Sequence, residues 1–202
     1  MRGYFGIGVE RVSKAMNVGS LFRTAHAFGA SFVFSIVSVY DRHEGGLADT
    51  SDAGRNLPLY EFDDVRALAL PRDCSLVAVE ITEDAAELPS FRHPRCAAYV
   101  FGAERGGLTP EFLELADHVV KIPTRFSVNL AVAGAIIMYD RLLSSNRFAR
   151  RPLLPGGPPE EVRPHEFGGP IWIKKERRRA AAREKKAKDS AKDSAEDSPR
   201  ET

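Results

Sequence analysis

Three short stretches of the chain carry side chains whose types and spacing could do chemistry. The first is a glycine-rich block, Phe101-Gly102-Ala103-Glu104-Arg105-Gly106-Gly107-Leu108-Thr109-Pro110-Glu111, placed between an apolar run and a helical pattern. Backbone amides can approach a ligand closely in such a turn, because glycine has no Cβ. The block is not a phosphate loop of the Walker type. Gly102 and Gly107 have the right spacing, but Leu108 stands where the phosphate-binding lysine would be. Gly6-x-Gly8 is not a dinucleotide fingerprint either, since Arg11 occupies the place of the third glycine. A plain connecting turn has no need of both Glu104 and Arg105, so the pair points to a ligand.

The second stretch is Asn17-Val18-Gly19-Ser20-Leu21-Phe22-Arg23-Thr24. Asn17 reads as a helix N-cap, and Arg23 falls one helical turn beyond Gly19. A helical arginine most often ends in a surface ion pair. The third stretch, Ser127-Val128-Asn129-Leu130-Ala131-Val132-Ala133, opens the last helix, with Ser127 as its expected cap. His26, His43, His93, His118 and His165 are never at ligand spacing. They are expected to bind no metal and mostly to lie on the surface. No Ser-His-Asp order suggests a hydrolase.

In order and spacing the three stretches resemble the motifs of the SpoU (TrmH-type) branch of the SPOUT methyltransferases. The resemblance covers roughly residues 5–145. It implies S-adenosylmethionine as cofactor and methylation of a ribose 2′-hydroxyl in RNA, tRNA or rRNA. Carried over residue by residue, it makes Arg23 the catalytic residue, with Asn17, Glu104, Ser127 and Asn129 beside it. It places Val79, Gly102, Glu104, Ile122 and Leu130 at the cofactor. Val79 and Glu80 together match the first cofactor-contact segment, with no role assigned to the Glu80 carboxylate. It also implies a homodimer and a C-terminal deep trefoil knot, an exception to the rule that chains do not thread loops.

Elements to position these residues can be read from periodicity. Strands are expected at Phe5–Val12, Phe32–Tyr40, Ser75–Ile81, Ala97–Phe101 and His118–Ile122. Helices are expected from Asn17 to a stop at Gly29, over Asp63–Leu70, after Thr109 with Pro110 at the first position, and over 127–145. An acidic loop fills Thr82–Glu87, and a polar one Asp49–Arg55. Alternating strands and helices predict an α/β fold, a mostly parallel sheet flanked by helices. The last helix is apolar nearly all round, so burial on several sides is expected. Its Ala131, Ala133, Gly134 and Ala135 would let another backbone come close.

Hydrophobic residues make up 43% of the 202 residues, enough for one domain with a proper core. Cys74 and Cys96 are the only cysteines, expected as buried free thiols in a reducing cytoplasm. No secretory signal or membrane span is read from the sequence. Residues 1–147 read as the methyltransferase domain and 148–173 as a Pro/Gly-rich extension. Residues 174–202 read as a basic, low-complexity, disordered tail. Its Lys and Arg residues at 174–188 have no interleaved aromatic, so attraction to phosphate, or mere solubility, is all they offer. Competing readings are an RNA-binding module of the same fold without catalysis, and a nucleotide-binding protein.

Overall fold

The first strand, β1 (Phe5–Glu10), sets the layers of the molecule through its alternation. Ile7 and Val9 point to one side, into a core shared with Val18, Leu21, Ile137 and Met138. Gly6 and Gly8 point to the other side, where the rings of Phe32 and Phe34 lie directly over them. A Cβ added at Gly6 would fall 2.3 Å from the Phe32 ring, and one at Gly8 would fall 2.4 Å from the Phe34 ring. The two glycines of the false dinucleotide motif are therefore packing residues that make room for two aromatics.

The computed structural model describes residues 3–38, 56–145, 148 and 155–156. The loop Asp49–Arg55, nearly all of the 148–173 extension and the 174–202 tail lie outside the described residues. After β1 come α1 (Ala15–Ala27), β2 (Phe32–Ile36), β3 (Leu59–Phe62), β4 (Ser75–Val79), β5 (Ala86–Glu87), β6 (Ala97–Phe101), α2 (Pro110–Leu115), β7 (His118–Lys121) and α3 (Leu130–Ser144). The strands form one seven-stranded sheet in the order β3-β2-β1-β6-β4-β7-β5. Every neighbouring pair is parallel. Apolar clusters fill both faces, as a parallel sheet requires. One contains residues of α1 and α3, the other Phe112 of α2.

Some expected elements are shorter, for local reasons. β2 stops at Ile36 because Val37 takes φ 50, outside the extended region. The helix expected over Asp63–Leu70 is a single 3-10 turn, Val65–Ala67, capped by the Asp64 carboxylate, which accepts from the Arg66 amide at 2.8 Å. The acidic loop contains the two-residue edge strand β5, paired to β7. α1 begins two residues before Asn17, with Lys14 at its cap position and no side-chain cap. It ends as expected, with Gly29 at φ +77. Cys74 and Cys96 are free thiols but only half-buried. No helix among the described residues is long and apolar enough to cross a membrane.

α3 departs most from expectation. Leu130, Gly134, Ile137 and Met138 are buried against the body. Val132 is 49% exposed and Tyr139 52%, so the helix buries one side and leaves an apolar side open. Gly134 serves close approach: a Cβ there would lie 2.1 Å from Leu21 of α1.

The far end of α3 is held by a polar network around Arg141. Its guanidinium donates to the carbonyls of Pro94 (2.6 Å), Arg95 (2.8 Å) and Tyr4 (3.2 Å), and to the Tyr99 hydroxyl (3.0 Å). Burial pushes the Tyr99 phenol up to about 12, so it stays protonated. Having accepted from Arg141, Tyr99 gives its own proton to His93 Nδ1 at 2.6 Å. His93 Nε2–H then donates to Asp140 at 2.9 Å. This histidine, one of five expected to lie mostly on the surface, has a side chain only 2% exposed. Burial lowers its pKa below the ordinary value and outweighs the pull of Asp140; the Arg141 charge lowers it further.

The depressed value gives His93 a pH signature. The folded chain prefers neutral imidazole, whereas the unfolded chain takes up a proton near about pH 6.5. The stability His93 contributes is thus complete above that pH and is lost as pH falls from it towards the folded value. Thermal melts between pH 7 and 5 are expected to show a fall in Tm that His93→Gln reduces. Equal slopes for the two proteins would contradict this.

Candidate active site

Parallel strands end at the same edge of the sheet, so the segments leaving β4, β6 and β7 emerge together. They enclose a cavity with Val79 and Ile81 at the end of β4, Gly102 and Glu104 after β6, Ile122 and Thr124 after β7, and Ser127 and Leu130 at the start of α3. The wall therefore includes all five residues expected at the cofactor: Val79, Gly102, Glu104, Ile122 and Leu130. Ser127 is also on it. Its apolar portion suits a flat heterocycle, while the turn after β6 offers backbone polar groups.

That turn closes on itself. The amides of Gly106 and Gly107 both donate to the Ala103 carbonyl, at 3.2 and 2.8 Å. Gly107 takes φ +63, a conformation that suits glycine. A Cβ on Gly102 would lie 2.1 Å from the Gly107 carbonyl carbon, so the two ends of the turn touch backbone to backbone. Beyond the turn, Thr109 caps α2 as expected, its hydroxyl accepting from the Phe112 amide at 3.2 Å. Two carboxylates from neighbouring strands hold the exit. Glu80, just past β4, accepts from the Leu108 amide at 2.8 Å. Glu10, the last residue of β1 and fully buried, accepts from the Thr109 amide at 2.8 Å and from its hydroxyl.

Glu104 joins the turn to the first helix. One carboxylate oxygen accepts from Asn17 Nδ2 and the other from Lys14 Nζ. Asn17, expected to cap α1, instead projects from its first turn towards the glycine block. Arg23 lies on the same helix, exposed, and its side chain has no hydrogen bond or ion pair among the described residues. The surface salt bridge usual for a helical arginine is thus absent there, and Arg23 is not on the cavity wall of a single chain. At α3 the cap is Asn129, not Ser127: its side chain accepts from the Ala131 amide at 3.0 Å. Asn129 is off the wall, between Val128 and Leu130, which are on it.

A model of the SpoU rRNA Methylase family matches residues 5–139. The chain belongs to that family. The chain is 29% identical over 140 residues to the tRNA (guanosine(18)-2′-O)-methyltransferase of Thermus thermophilus, a match covering 65% of this chain and 71% of that protein. The Escherichia coli K12 protein of the same name is 27% identical, with 65% of this chain and 60% of that one covered. Among solved structures, the SpoU methyltransferase AviRb from Streptomyces viridochromogenes, in complex with AdoMet, superposes with a TM-score of 0.62 at 22% identity, over 72% of this chain and 59% of that one. The AdoMet-bound rRNA methyltransferase from Sinorhizobium meliloti gives 0.60 at 22% identity, over 70% and 56%. At these identities the likeness is one of fold.

Sequence reasoning missed Lys14 and Glu10 as parts of this SpoU-family site, and set Glu80 at the cofactor segment without finding what its carboxylate does. The two glutamates had a readable signal, since each ends an apolar strand where an isolated acid needs a reason. Lys14 had none, because only the fold brings it to Glu104. The corrected cap can be checked directly. Asn129→Ala is expected to cost about 1 kcal/mol, the usual worth of an N-cap. Ser127→Ala should leave stability unchanged. Denaturant unfolding of both variants decides it, and a larger loss for Ser127→Ala would reverse the assignment.

Proposed function

We propose that this SpoU-family chain transfers a methyl group from S-adenosylmethionine to a ribose 2′-hydroxyl of RNA, with tRNA as the substrate class. One observation carries the reading. A cavity at the carboxyl edge of the sheet is walled by residues of the second and third motifs, and Glu104 on that wall is tied to Asn17 of the first. The names of the Thermus and Escherichia coli relatives support the tRNA substrate. The AdoMet complexes of AviRb and the Sinorhizobium protein support the cofactor.

The residues present fit that cofactor. Val79, Ile122 and Leu130 would hold its adenine between apolar side chains, and Gly102, whose missing Cβ lets Gly107 pack against it, would present the backbone of the turn. When bound, the cofactor supplies an electrophilic methyl carbon on a sulfonium. Glu104 is held at both oxygens, by Asn17 and by the opposite charge of Lys14, and so fixes the turn against the first helix. Arg23 would grip an RNA phosphate and steady the alkoxide forming on the ribose. A guanidinium is a poor base but a strong bidentate partner for oxyanions. Asn17 keeps the first helix and the turn in register, so that Arg23 and the cavity hold a constant separation. Ser127 and Asn129 would orient the ribose beside the third motif.

A homodimer belongs to this reading. The open side of α3 forms an apolar trough with α1, lined by Phe28, Val132, Ile136 and Tyr139, with Thr24, the neighbour of Arg23, at its edge. A second copy seated there would cover the exposed apolar surface and complete the RNA side of the site. The C-terminal trefoil knot belongs to it too, as do the domain limits: 1–147 for methyl transfer, 148–173 as an extension, and 174–202 as a basic tail that adds phosphate attraction. We place the protein in the cytoplasm with its substrate.

Incubating the purified protein with labelled S-adenosylmethionine and bulk tRNA should yield 2′-O-methylated nucleosides after nuclease digestion. Base-methylated products, or none, would refute the assignment. Arg23→Ala is expected to lower turnover by about a hundredfold or more, with calorimetric affinity for the cofactor near native. Arg23→Lys should not restore it, because the planar fork is lost.

The trough gives a separate expectation. Val132→Glu places a charge in the proposed interface and should convert a dimer to a monomer by light scattering, with methyl transfer falling in parallel. A wild-type monomer at micromolar concentration would remove the dimer from the proposal.

A further inference from the structure

Glu80 is not catalytic in the reading above; the family resemblance set it beside Val79 in the first cofactor-contact segment without giving the carboxylate a role. Its geometry is unusual for a residue on a ligand cavity. Oε1 accepts from the amide of Ile81 at 2.9 Å and Oε2 from the amide of Leu108 at 2.8 Å. The same carboxylate fills the space beside Gly107, where a Cβ would sit 2.5 Å from Oε2. The glycine turn and the end of β4 are thus joined through one side chain that also forms part of the cavity wall.

We infer that Glu80 is the positioning residue that sets the affinity of the glycine turn for S-adenosylmethionine; this rests on the function proposed above. The argument begins with what the turn lacks. Between Gly102 and Gly107 its internal hydrogen bonds end on a single carbonyl, that of Ala103. Glycine at 102, 106 and 107 leaves the backbone with much conformational freedom, and a ligand that contacts backbone would have to order it on binding. Two carboxylates prevent this. Glu10 anchors Thr109 from within the core, where it also serves the start of α2. Glu80 acts one residue earlier, at Leu108, and against Gly107 itself. Glu10 is therefore tied to the fold and Glu80 to the shape of the binding surface.

The chemistry needs a carboxylate, because both partners are N–H donors and each oxygen accepts one. Glutamine has the same shape but one accepting oxygen; its NH2 must face one of the two amides. Glu80→Gln should therefore release one end of the turn while conserving volume. The expected result is a rise of about tenfold or more in Kd for S-adenosylmethionine, from loss of a charge-assisted hydrogen bond and of preorganisation. The defect should appear in KM for the cofactor more than in kcat, with Tm close to that of the parent. Gly107→Ala presses on the same carboxylate from the other side, and should give the same defect. Because Gly107 takes φ +63, alanine also strains the turn itself, so part of its loss should add to that of Glu80→Gln.

Calorimetry of the full-length protein and both variants with S-adenosylmethionine and with S-adenosylhomocysteine tests the inference. A turn held in shape by Glu80 predicts equal losses for the two ligands, which differ by the methyl group and its charge. A loss confined to S-adenosylmethionine would show Glu80 acting on the sulfonium charge and overturn the positioning role. Unchanged affinities, or a fall in Tm with native affinity, would also overturn it. Failure of the parent protein to bind either ligand would instead refute the function proposed above.

Discussion

The parallel register of β1, β6, β4 and β7 is the constraint on which the site depends. Val9 pairs with Phe101, Phe101 with Val79, and Val79 with Val120, so four strands finish level with one another. Everything that follows these strands emerges at one edge. Glu10 and Glu80 are the residues immediately after Val9 and Val79, which is why their carboxylates can reach a turn that begins immediately after Phe101. A shift of one residue in any of these pairings would turn the strand over and carry its carboxylate to the opposite face.

This also explains what was legible in the sequence. The strand Ala97–Phe101 and the cap Thr109-Pro110 were readable to the residue, because each depends on local chemistry: a short apolar run, and a hydroxyl before proline at a helix start. The five cofactor-side residues came from motif resemblance, and the fold gathers them on one wall. The caps of α1 and α3 were misread for a physical reason. Asn17 and Ser127 are good capping types, but each has a second possible use, and only tertiary placement decides between them. Asn17 is drawn to Glu104, and Asn129 takes the cap that Ser127 leaves. His93 departs from the surface placement expected of most histidines because its partner Asp140 is 47 residues away and only the fold brings the two together.

α3 links regions that otherwise have little in common. Its first turn borders the cavity, its middle packs on α1 through Gly134 and Leu21, and its last turns are fixed by Arg141 to the amino-terminal side of the sheet. The helix is therefore held at both ends while one long side is open. A rigid element with an unburied apolar side is a suitable base for association, since little order must be gained when a partner arrives.

The fit of Phe32 over Gly6 and of Phe34 over Gly8 bears on how this sheet can change over generations. Each glycine is acceptable only because a ring fills the space above it, and each ring is accommodated only because no Cβ lies beneath. Neither member of a pair can drift alone without opening a void or creating a clash. Among descendants of this chain, positions 6 and 32, and positions 8 and 34, should be inherited as linked pairs, with bulk moving from one strand to the other while the sum stays nearly constant.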